Sequence, residues 1–175
     1  MNSFFILFLV VVFFGDVQSP EEAEMKEREK TSFFIIHHSA TLSGNVEIFR
    51  RYHVQKKDFD DVGYHFVITN GNGGENGKVE KGRKEHLQGA HAKGQNAQSI
   101  GICLVGEDEF APQQVEALVF LLTDLCLKYG INPSSDTVLK HHDKCPGDGL
   151  PIYDIIMMTR DQIELRKKEE QKQIE

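Results

Sequence analysis

Residues 32–39 read Ser-Phe-Phe-Ile-Ile-His-His-Ser, an apolar run that ends in two imidazoles. A short run of aromatic and β-branched residues without polar alternation predicts a central strand that is buried on both faces. His37 and His38 lie at the C-terminal end of this strand, where α/β sheets commonly carry their functional sites. A single histidine there is usually a hydrogen-bonded core residue, but a pair favours one of them as a ligand.

The rest of the chain alternates between predicted strands and helices. The spacing of apolar residues predicts helices over 45–57, 112–129 and 152–158, and strands over 62–68, 78–80, 99–106 and 137–140. This interleaving predicts an α/β fold, a single domain with a central mixed β-sheet flanked by helices. Alternation within the second strand places Tyr64, Phe66 and Ile68 on one face and His65 and Val67 on the other.

Length, charge and cysteine content limit the class of protein. At 175 residues, the chain is long enough for one domain with a substantial core. The formal net charge of −7 argues against nucleic acid as the main partner, since phosphate binding needs a basic face. The three cysteines show no disulfide framework. Cys103 and Cys126 fall on apolar positions of a strand and a helix, which favours two buried thiols over a pair.

The first 19 residues have the layout of a secretory signal. An apolar run over 4–14 is followed by a small-ended triplet, Val17-Gln18-Ser19, and the run is too short to span a bilayer comfortably. No Lys or Arg precedes the run and Pro20 would follow the cut, so an uncleaved membrane anchor is the alternative. Both interpretations predict export to the periplasm or the extracellular space, without a stable membrane span once a signal is removed.

Charged segments mark the expected limits of the domain. Residues 20–30 are nearly all charged and predict a solvated linker or a frayed helix. Residues 161–175 are a charged C-terminal tail, expected to be a solvated helix end. The folded domain is therefore expected over 31–160.

Residues 140–147, Lys-His-His-Asp-Lys-Cys-Pro-Gly, bring imidazole and thiolate ligands together. Zinc prefers this ligand set, and a catalytic zinc takes three protein ligands and leaves a fourth position to water. One histidine and Cys145 supply two ligands, so a third must come from elsewhere. His37 and His141 both emerge from strand ends, so they could converge. The alternative is a chance His/Cys cluster, because short motifs of this kind have real false positives.

Seven segments of the chain form a recognisable set. They are 36–41 (Ile-His-His-Ser-Ala-Thr), 61–66 (Asp-Val-Gly-Tyr-His-Phe), Gly82-Arg83, 89–94 (Gly-Ala-His-Ala-Lys-Gly), Asn96, 99–106 (Ser-Ile-Gly-Ile-Cys-Leu-Val-Gly) and 145–147 (Cys-Pro-Gly). Together they resemble the zinc-dependent N-acetylmuramoyl-L-alanine amidases of the phage-lysozyme type, which share a fold with animal peptidoglycan recognition proteins. The resemblance covers about residues 33–155, and its blocks stand in the family order.

The resemblance implies a ligand set for one zinc ion per chain, with His38 in a variable place. The three ligands it implies are His37, His141 and Cys145. It also implies a catalytic tyrosine, Tyr64, which orients the water or the developing oxyanion near the metal.

The resemblance further implies a substrate groove, lined by His91 and Asn96. Arg83 belongs to a shared Gly-Arg pair and is grouped with these substrate-binding residues, with a purely structural role as the alternative.

One departure from the family pattern lies in the late stretch. Family members usually have several more residues between the late histidine and the cysteine, with a Lys or Thr two places before the cysteine that stabilises the transition state. Here that place holds Asp143. Lys144, one place along, either takes over the catalytic role or the role is lost.

The implied activity is hydrolysis of the amide bond between N-acetylmuramic acid and L-alanine, and the implied partner is peptidoglycan or its muropeptides. The chain is expected to act as a monomer. Two alternatives remain open. The first is a binding module that recognises peptidoglycan without cutting it, and the second is an exported zinc hydrolase that acts on another amide.

Overall fold

The structure, a computed structural model, describes residues 25–174. Its strands are β1 (Phe33–His38), β2 (Phe66–Ile68), β3 (Val79–Lys81), β4 (Ser99–Leu104) and β5 (Val138–Lys140). Its helices are α1 (Val46–Lys57), α2 (Pro112–Tyr129) and α3 (Ile152–Ile174), and a single 3₁₀ turn over Asn96–Gln98 precedes β4. The predicted order of strands and helices is therefore confirmed.

The five strands form one sheet in the order β3-β2-β4-β1-β5. β1 pairs in parallel with both β4 and β5, and β2 pairs in parallel with β4, whereas β3 is antiparallel to β2. The predicted mixed sheet is thus confirmed. The central place of β1 explains its sequence, because Phe34, Ile35 and Ile36 are completely buried between helices on both faces.

The helices cover opposite faces of the sheet. On one face, α2 and α3 pack over a large apolar cluster that includes Phe34, Ile36 and Cys126. On the other face, α1 packs over a smaller cluster that includes Val67 and Cys103. Both of these cysteines are buried free thiols. Since the sheet separates them, the expectation of two unpaired thiols is confirmed.

The second strand begins later than predicted. Only Phe66–Ile68 pair as a strand, and residues 62–65 bend beforehand. The bend brings Gly63 so close to the carbonyl oxygen of Ala90 that a Cβ at Gly63 would lie 2.4 Å from it. As a result Tyr64 packs with the cluster under α1, on the side of Val67. The prediction that Tyr64 shares a face with Phe66 and Ile68 was wrong, because strand alternation does not extend through the bend.

The segment that precedes β1 is bonded to the domain. Residues 26–29 run along the loop at 85–88 and along residue 97, with backbone hydrogen bonds such as Arg28 N to His86 O at 2.7 Å. Glu27 and Leu87 form an antiparallel bridge. The prediction of a solvated linker therefore does not hold for this part. The charged residues 26–29 form an extended, strand-like segment whose backbone groups hydrogen-bond to the domain.

The C-terminal tail is a continuation of α3. Arg166 contacts Asp124 of α2, so the charged face of this helix is held against the domain at that point. The predicted signal over residues 1–19 lies outside the described residues. Between residues 25 and 174, no helix has the length and apolarity that crossing a membrane requires.

His65 is a fully buried imidazole that bridges two segments beside the sheet. Its Nδ1 accepts from the Gly101 backbone N–H at 3.0 Å, and its Nε2 donates to the Leu87 carbonyl at 3.0 Å. Burial lowers the pKa of His65 to about 4, an effect that the Leu87 hydrogen bond partly opposes. The folded protein therefore holds this ring neutral where an unfolded chain would protonate it.

We expect His65 to make the folded domain sensitive to acid. Its pKa is lower in the folded state, so its stabilising contribution is complete above about pH 6.5 and is lost as the pH falls toward 4. The loss is about 1.4 kcal/mol for each pH unit in this window. Urea unfolding of the metal-free protein at pH 7 and pH 5 measures it. The free energy of unfolding should differ less between the two pH values in His65→Gln than in the wild type. The control His142→Gln, at an exposed residue, should show the same difference as the wild type.

Candidate metal centre

Two strand ends bring His37 and His141 together. His37 is the next-to-last residue of β1, and His141 follows directly after β5, its parallel neighbour. The His141 backbone N–H continues the ladder by donating to the Ile36 carbonyl at 3.2 Å. The two imidazole rings are tilted against each other by 42°, with centroids 4.5 Å apart. The parallel pairing of these strands therefore builds the predicted convergence.

Cys145 returns to the same place through a tight hairpin. His142 and Cys145 exchange backbone hydrogen bonds of 3.1 and 2.9 Å, which leaves Asp143 and Lys144 at the tip. The Cys145 Sγ lies 4.0 Å from His37 Nδ1 and accepts from the His38 backbone N–H at 3.4 Å. The short interval between His141 and Cys145 is therefore long enough to deliver both side chains to one site.

The three predicted ligands form the only group of its kind among residues 25–174. One ligand atom from each of His37, His141 and Cys145 lies within 4.8 Å of the other two. In a tetrahedral zinc site with ordinary bond lengths, such atoms stand about 3.4–3.6 Å apart. The observed spacing thus needs only a small contraction, and the group could bind a metal ion.

Burial is uneven around this group. His37 and Cys145 are buried, whereas His141 is exposed, so a metal held here would be reached from the His141 side. Structural zinc sites are closed by four protein ligands, while catalytic ones keep a position open. Three ligands with one exposed side therefore match the catalytic type.

The protonation states of the ligands suit a metal site. Burial lowers the pKa of His37 well below its usual value, and the neighbouring His91 and His141 add to the effect, so this imidazole is neutral. Burial raises the pKa of the Cys145 thiol, which the hydrogen bond from His38 N–H opposes. Metal binding must therefore displace the thiol proton, which makes the affinity increase with pH.

Tyr64 lies beside the ligands, where the resemblance placed it. Its ring centroid is 5.2 Å from that of His37. Burial raises the pKa of Tyr64, and the Cys103 and Cys145 sulfurs raise it further. The phenol therefore keeps its proton at neutral pH and acts as an O–H donor. Cys103 contributes to the raised pKa of Tyr64 and was missed as a site residue, although it stands opposite His37 in the register of β1 and β4.

His91 does not line an open groove. Its side chain is only 9% exposed and lies behind His37, with His91 Nδ1 3.1 Å from His37 Nε2. Asn96 Oδ1 accepts from the backbone N–H groups of His91 and Ala92 at 3.0 and 2.8 Å. His91 thus faces the interior of the protein, whereas Asn96 is half-buried and holds the backbone of this loop. These contacts favour a supporting role for His91, and the groove position of Asn96 stays a prediction.

The contacts of Arg83 favour the structural role that was the alternative for it. The residue is 5% exposed, and its guanidinium donates to the backbone carbonyls of Val62, Gln88 and Asp61 at 3.0, 2.7 and 3.2 Å. These three hydrogen bonds tie Arg83 to the bend that carries Tyr64, and its substrate-binding role stays a prediction.

Lys144 stands in an acidic setting. It is exposed at the tip of the hairpin and lines a cavity of about 510 Å³ together with His38. The carboxylates that line the same cavity are Glu107, Asp108, Asp143 and Asp148. Lys144 lies next to Cys145 in the chain, among acidic neighbours that compete for its positive charge.

The fold and the ligands together define a class of protein. A single α/β domain carries two imidazoles and one thiol at the C-terminal edge of a mostly parallel sheet, where one side of the ligand group is open. This arrangement is typical of a hydrolase whose ligand group could hold a catalytic metal ion.

The family model described as N-acetylmuramoyl-L-alanine amidase matches residues 27–148 of the chain. The match includes all three candidate ligands and Tyr64. The chain therefore belongs to the N-acetylmuramoyl-L-alanine amidase family, which confirms the resemblance seen in the sequence.

Individual relatives agree with this assignment. The endolysin of Escherichia phage T7 is 37% identical over 143 residues, which cover 75% of this chain and 87% of the endolysin. Amidase LysC from Clostridium intestinale URNW superimposes with a TM-score of 0.63 at 27% identity, over 74% of this chain and 83% of LysC. A Tyr-to-Phe mutant of Drosophila PGRP-LB, in complex with tracheal cytotoxin, has a TM-score of 0.62 at 25% identity, over 75% and 83% of the two chains.

Proposed function

We propose that this chain is a zinc-dependent amidase that hydrolyses the bond between N-acetylmuramic acid and L-alanine in peptidoglycan or its fragments. Family membership supports the reaction. The single structural observation that supports the metal is the group of His37, His141 and Cys145, whose ligand atoms lie within 4.8 Å of one another and are open on one side.

Each ligand contributes a distinct property to the proposed zinc site. His37 is neutral and buried, Cys145 supplies the thiolate charge, and His141 marks the face that substrate approaches. A zinc ion bound by them would supply Lewis acidity toward the amide carbonyl and would lower the pKa of a water molecule toward about 7. The His38 N–H, which donates to Cys145 Sγ, stabilises the thiolate form.

Tyr64 and Lys144 are proposed to act on the substrate itself. The Tyr64 hydroxyl keeps its proton and its ring is held beside His37, so we propose that it donates to the oxygen that becomes negative as the amide is attacked. Lys144 would bring a positive charge to the same oxyanion from the tip of the hairpin. The chain's own residues thus stabilise the developing charge from two directions.

The proposed partner is a muropeptide or the intact peptidoglycan strand. A solved relative holds tracheal cytotoxin, and this chain shares its fold. We propose that the protein acts on such substrates as a monomer after export, either in the periplasm or outside the cell.

The test combines a muropeptide digestion with a measurement of the zinc content of the protein. The purified protein should hold about one zinc per chain and release free stem peptide from muropeptides, as read by mass spectrometry. A chelator should remove both the zinc and the activity, and added zinc should restore them. Zinc without cleavage at any pH would instead support a binding module. The observation that favours this second candidate is Asp143, which stands where the family keeps a catalytic Lys or Thr.

We expect Lys144→Ala to lower kcat by up to about 10²-fold, the lower end of the range for loss of one oxyanion donor. The effect is limited because the residue is exposed and its charge is screened. Lys144→Arg should recover part of the loss, since it restores the positive charge. The measurement is steady-state hydrolysis of a soluble muropeptide. Unchanged turnover in Lys144→Ala would remove Lys144 from the catalytic residues.

A further inference from the structure

We propose that His91 is a positioning residue for the metal centre. It accepts a hydrogen bond from His37 Nε2–H and so directs the Nδ1 lone pair of His37 toward the ligand group. This inference rests on the proposed function, since it concerns the same site, but it concerns an imidazole that does not touch substrate. It assigns His91 a role in orientation and tautomer, without a change of charge.

Ser99 fixes the direction of the hydrogen bonds that run from it through His91 to His37. Ser99 Oγ lies 2.8 Å from the Gln95 carbonyl, which can only accept, so the single hydroxyl proton of Ser99 is donated there. The same hydroxyl lies 3.4 Å from His91 Nε2 and can offer it only a lone pair. His91 Nε2 therefore carries a proton.

The remaining step fixes His37. A neutral imidazole holds one proton, so His91 Nδ1 is bare and accepts across the 3.1 Å contact from His37 Nε2. His37 Nδ1 is then the bare nitrogen, and it is the one that lies 4.0 Å from Cys145 Sγ. The tautomer that the contacts require is thus the one in which His37 can bind a metal through Nδ1.

The fold builds a slot that fits an imidazole at this position. A Cβ added to Gly101 would lie 2.4 Å from His91 Cγ, and one added to Gly89 would lie 2.5 Å from His91 Cδ2. Ser99, the acceptor, is completely buried. Two glycines from separate segments therefore make room for the ring, and Asn96 anchors its backbone.

The first test measures the tautomers directly in the metal-free protein. Nitrogen-15 NMR of the histidine rings should show His37 protonated on Nε2 and bare on Nδ1, and His91 protonated on Nε2. This readout does not depend on activity, so it can succeed even if the proposed amidase reaction fails. A His37 ring protonated on Nδ1 would overturn the proposal.

The second test compares two variants of nearly equal shape. His91→Asn places an amide oxygen near the former Nδ1 and can still accept from His37, whereas His91→Leu cannot. We expect zinc affinity, measured by competition with a chelator, to fall about 10–100-fold in His91→Leu. It should stay much closer to the wild type in His91→Asn. Equal affinity of the two variants would contradict the proposal.

Two further variants test the proposal without a substitution at residue 91, where a change could disturb folding. Ser99→Ala leaves the His91 ring in place but removes its acceptor, and it should lower zinc affinity less than His91→Leu does. His86→Leu is an exposed change outside the hydrogen-bond relay formed by Ser99, His91 and His37, and it should leave zinc affinity unchanged. If Ser99→Ala bound zinc as the wild type does and left the His37 tautomer unchanged, the relay would have no part in positioning the ligand.

Discussion

Cys145→Ser should yield a folded protein that holds no zinc and releases no stem peptide. The thiolate is the only ligand in the group that carries a negative charge, and a serine hydroxyl stays protonated near neutral pH and binds zinc poorly. Loss of a residue that only hydrogen-bonds to a metal ligand already costs about 10–100-fold in metal affinity, so loss of a ligand itself should cost more. The measurements are the zinc content of the purified protein and the muropeptide digestion.

A matched control separates this effect from damage to the core. Cys126→Ser makes the same chemical change in α2, on the opposite face of the sheet. It should lose some stability, because it buries a hydroxyl in an apolar cluster, but it should keep both zinc and activity. An active Cys145→Ser protein without metal would show that the ligand group is misassigned.

The strength of the Cys145 prediction comes from strand ends that the sequence reveals. β1 is recognisable because a strand buried on both faces needs a continuous apolar run, and Phe34–Ile36 provide it. His37 follows the apolar run of β1 directly and His141 follows the short predicted strand over 137–140, so both were expected at strand ends. The sheet then needed only to place β1 and β5 side by side, which parallel α/β topology commonly does.

Other parts of the site depend on contacts between distant segments, and local patterns do not contain them. The bend before β2 brings Gly63 close to the Ala90 carbonyl, and it places Tyr64 on the side of Val67 and beside His37. Alternation within the strand predicted the opposite face. The tyrosine was recognised only through the family resemblance, which carries three-dimensional information that periodicity lacks.

His91 shows the same limit from another direction. A histidine in a polar, glycine-containing loop resembles a surface residue that binds a ligand. In the fold, Gly101 of β4 leaves a space that the His91 ring fills. The glycine and the histidine are ten residues apart in the chain, and nothing local shows that one accommodates the other. The contacts of Arg83 were hidden in the same way, since its three carbonyl partners lie in two segments, at 61–62 and at Gln88.

Tyr64→Phe should lower kcat by about 10²–10³-fold while zinc content and KM change little. The substitution removes one hydroxyl and keeps the ring that packs against His37. Loss of a single preorganised donor to a developing oxyanion has this magnitude in other hydrolases. The measurements are kcat and KM for a soluble muropeptide, with zinc content determined on the same samples. Tyr153→Phe, an exposed change in α3, is the matched control and should match the wild type.

The pattern of change in Tyr64→Phe distinguishes between roles for this residue. Because burial holds the pKa of Tyr64 above its usual value, the hydroxyl cannot be the general base, and the pH dependence of kcat in Tyr64→Phe should keep its shape while its height falls. A raised KM with unchanged kcat would instead indicate that Tyr64 binds the substrate equally in the ground state and the transition state. Loss of zinc would indicate that it supports His37. Only a lower kcat with zinc retained fits a donor aimed at the oxyanion.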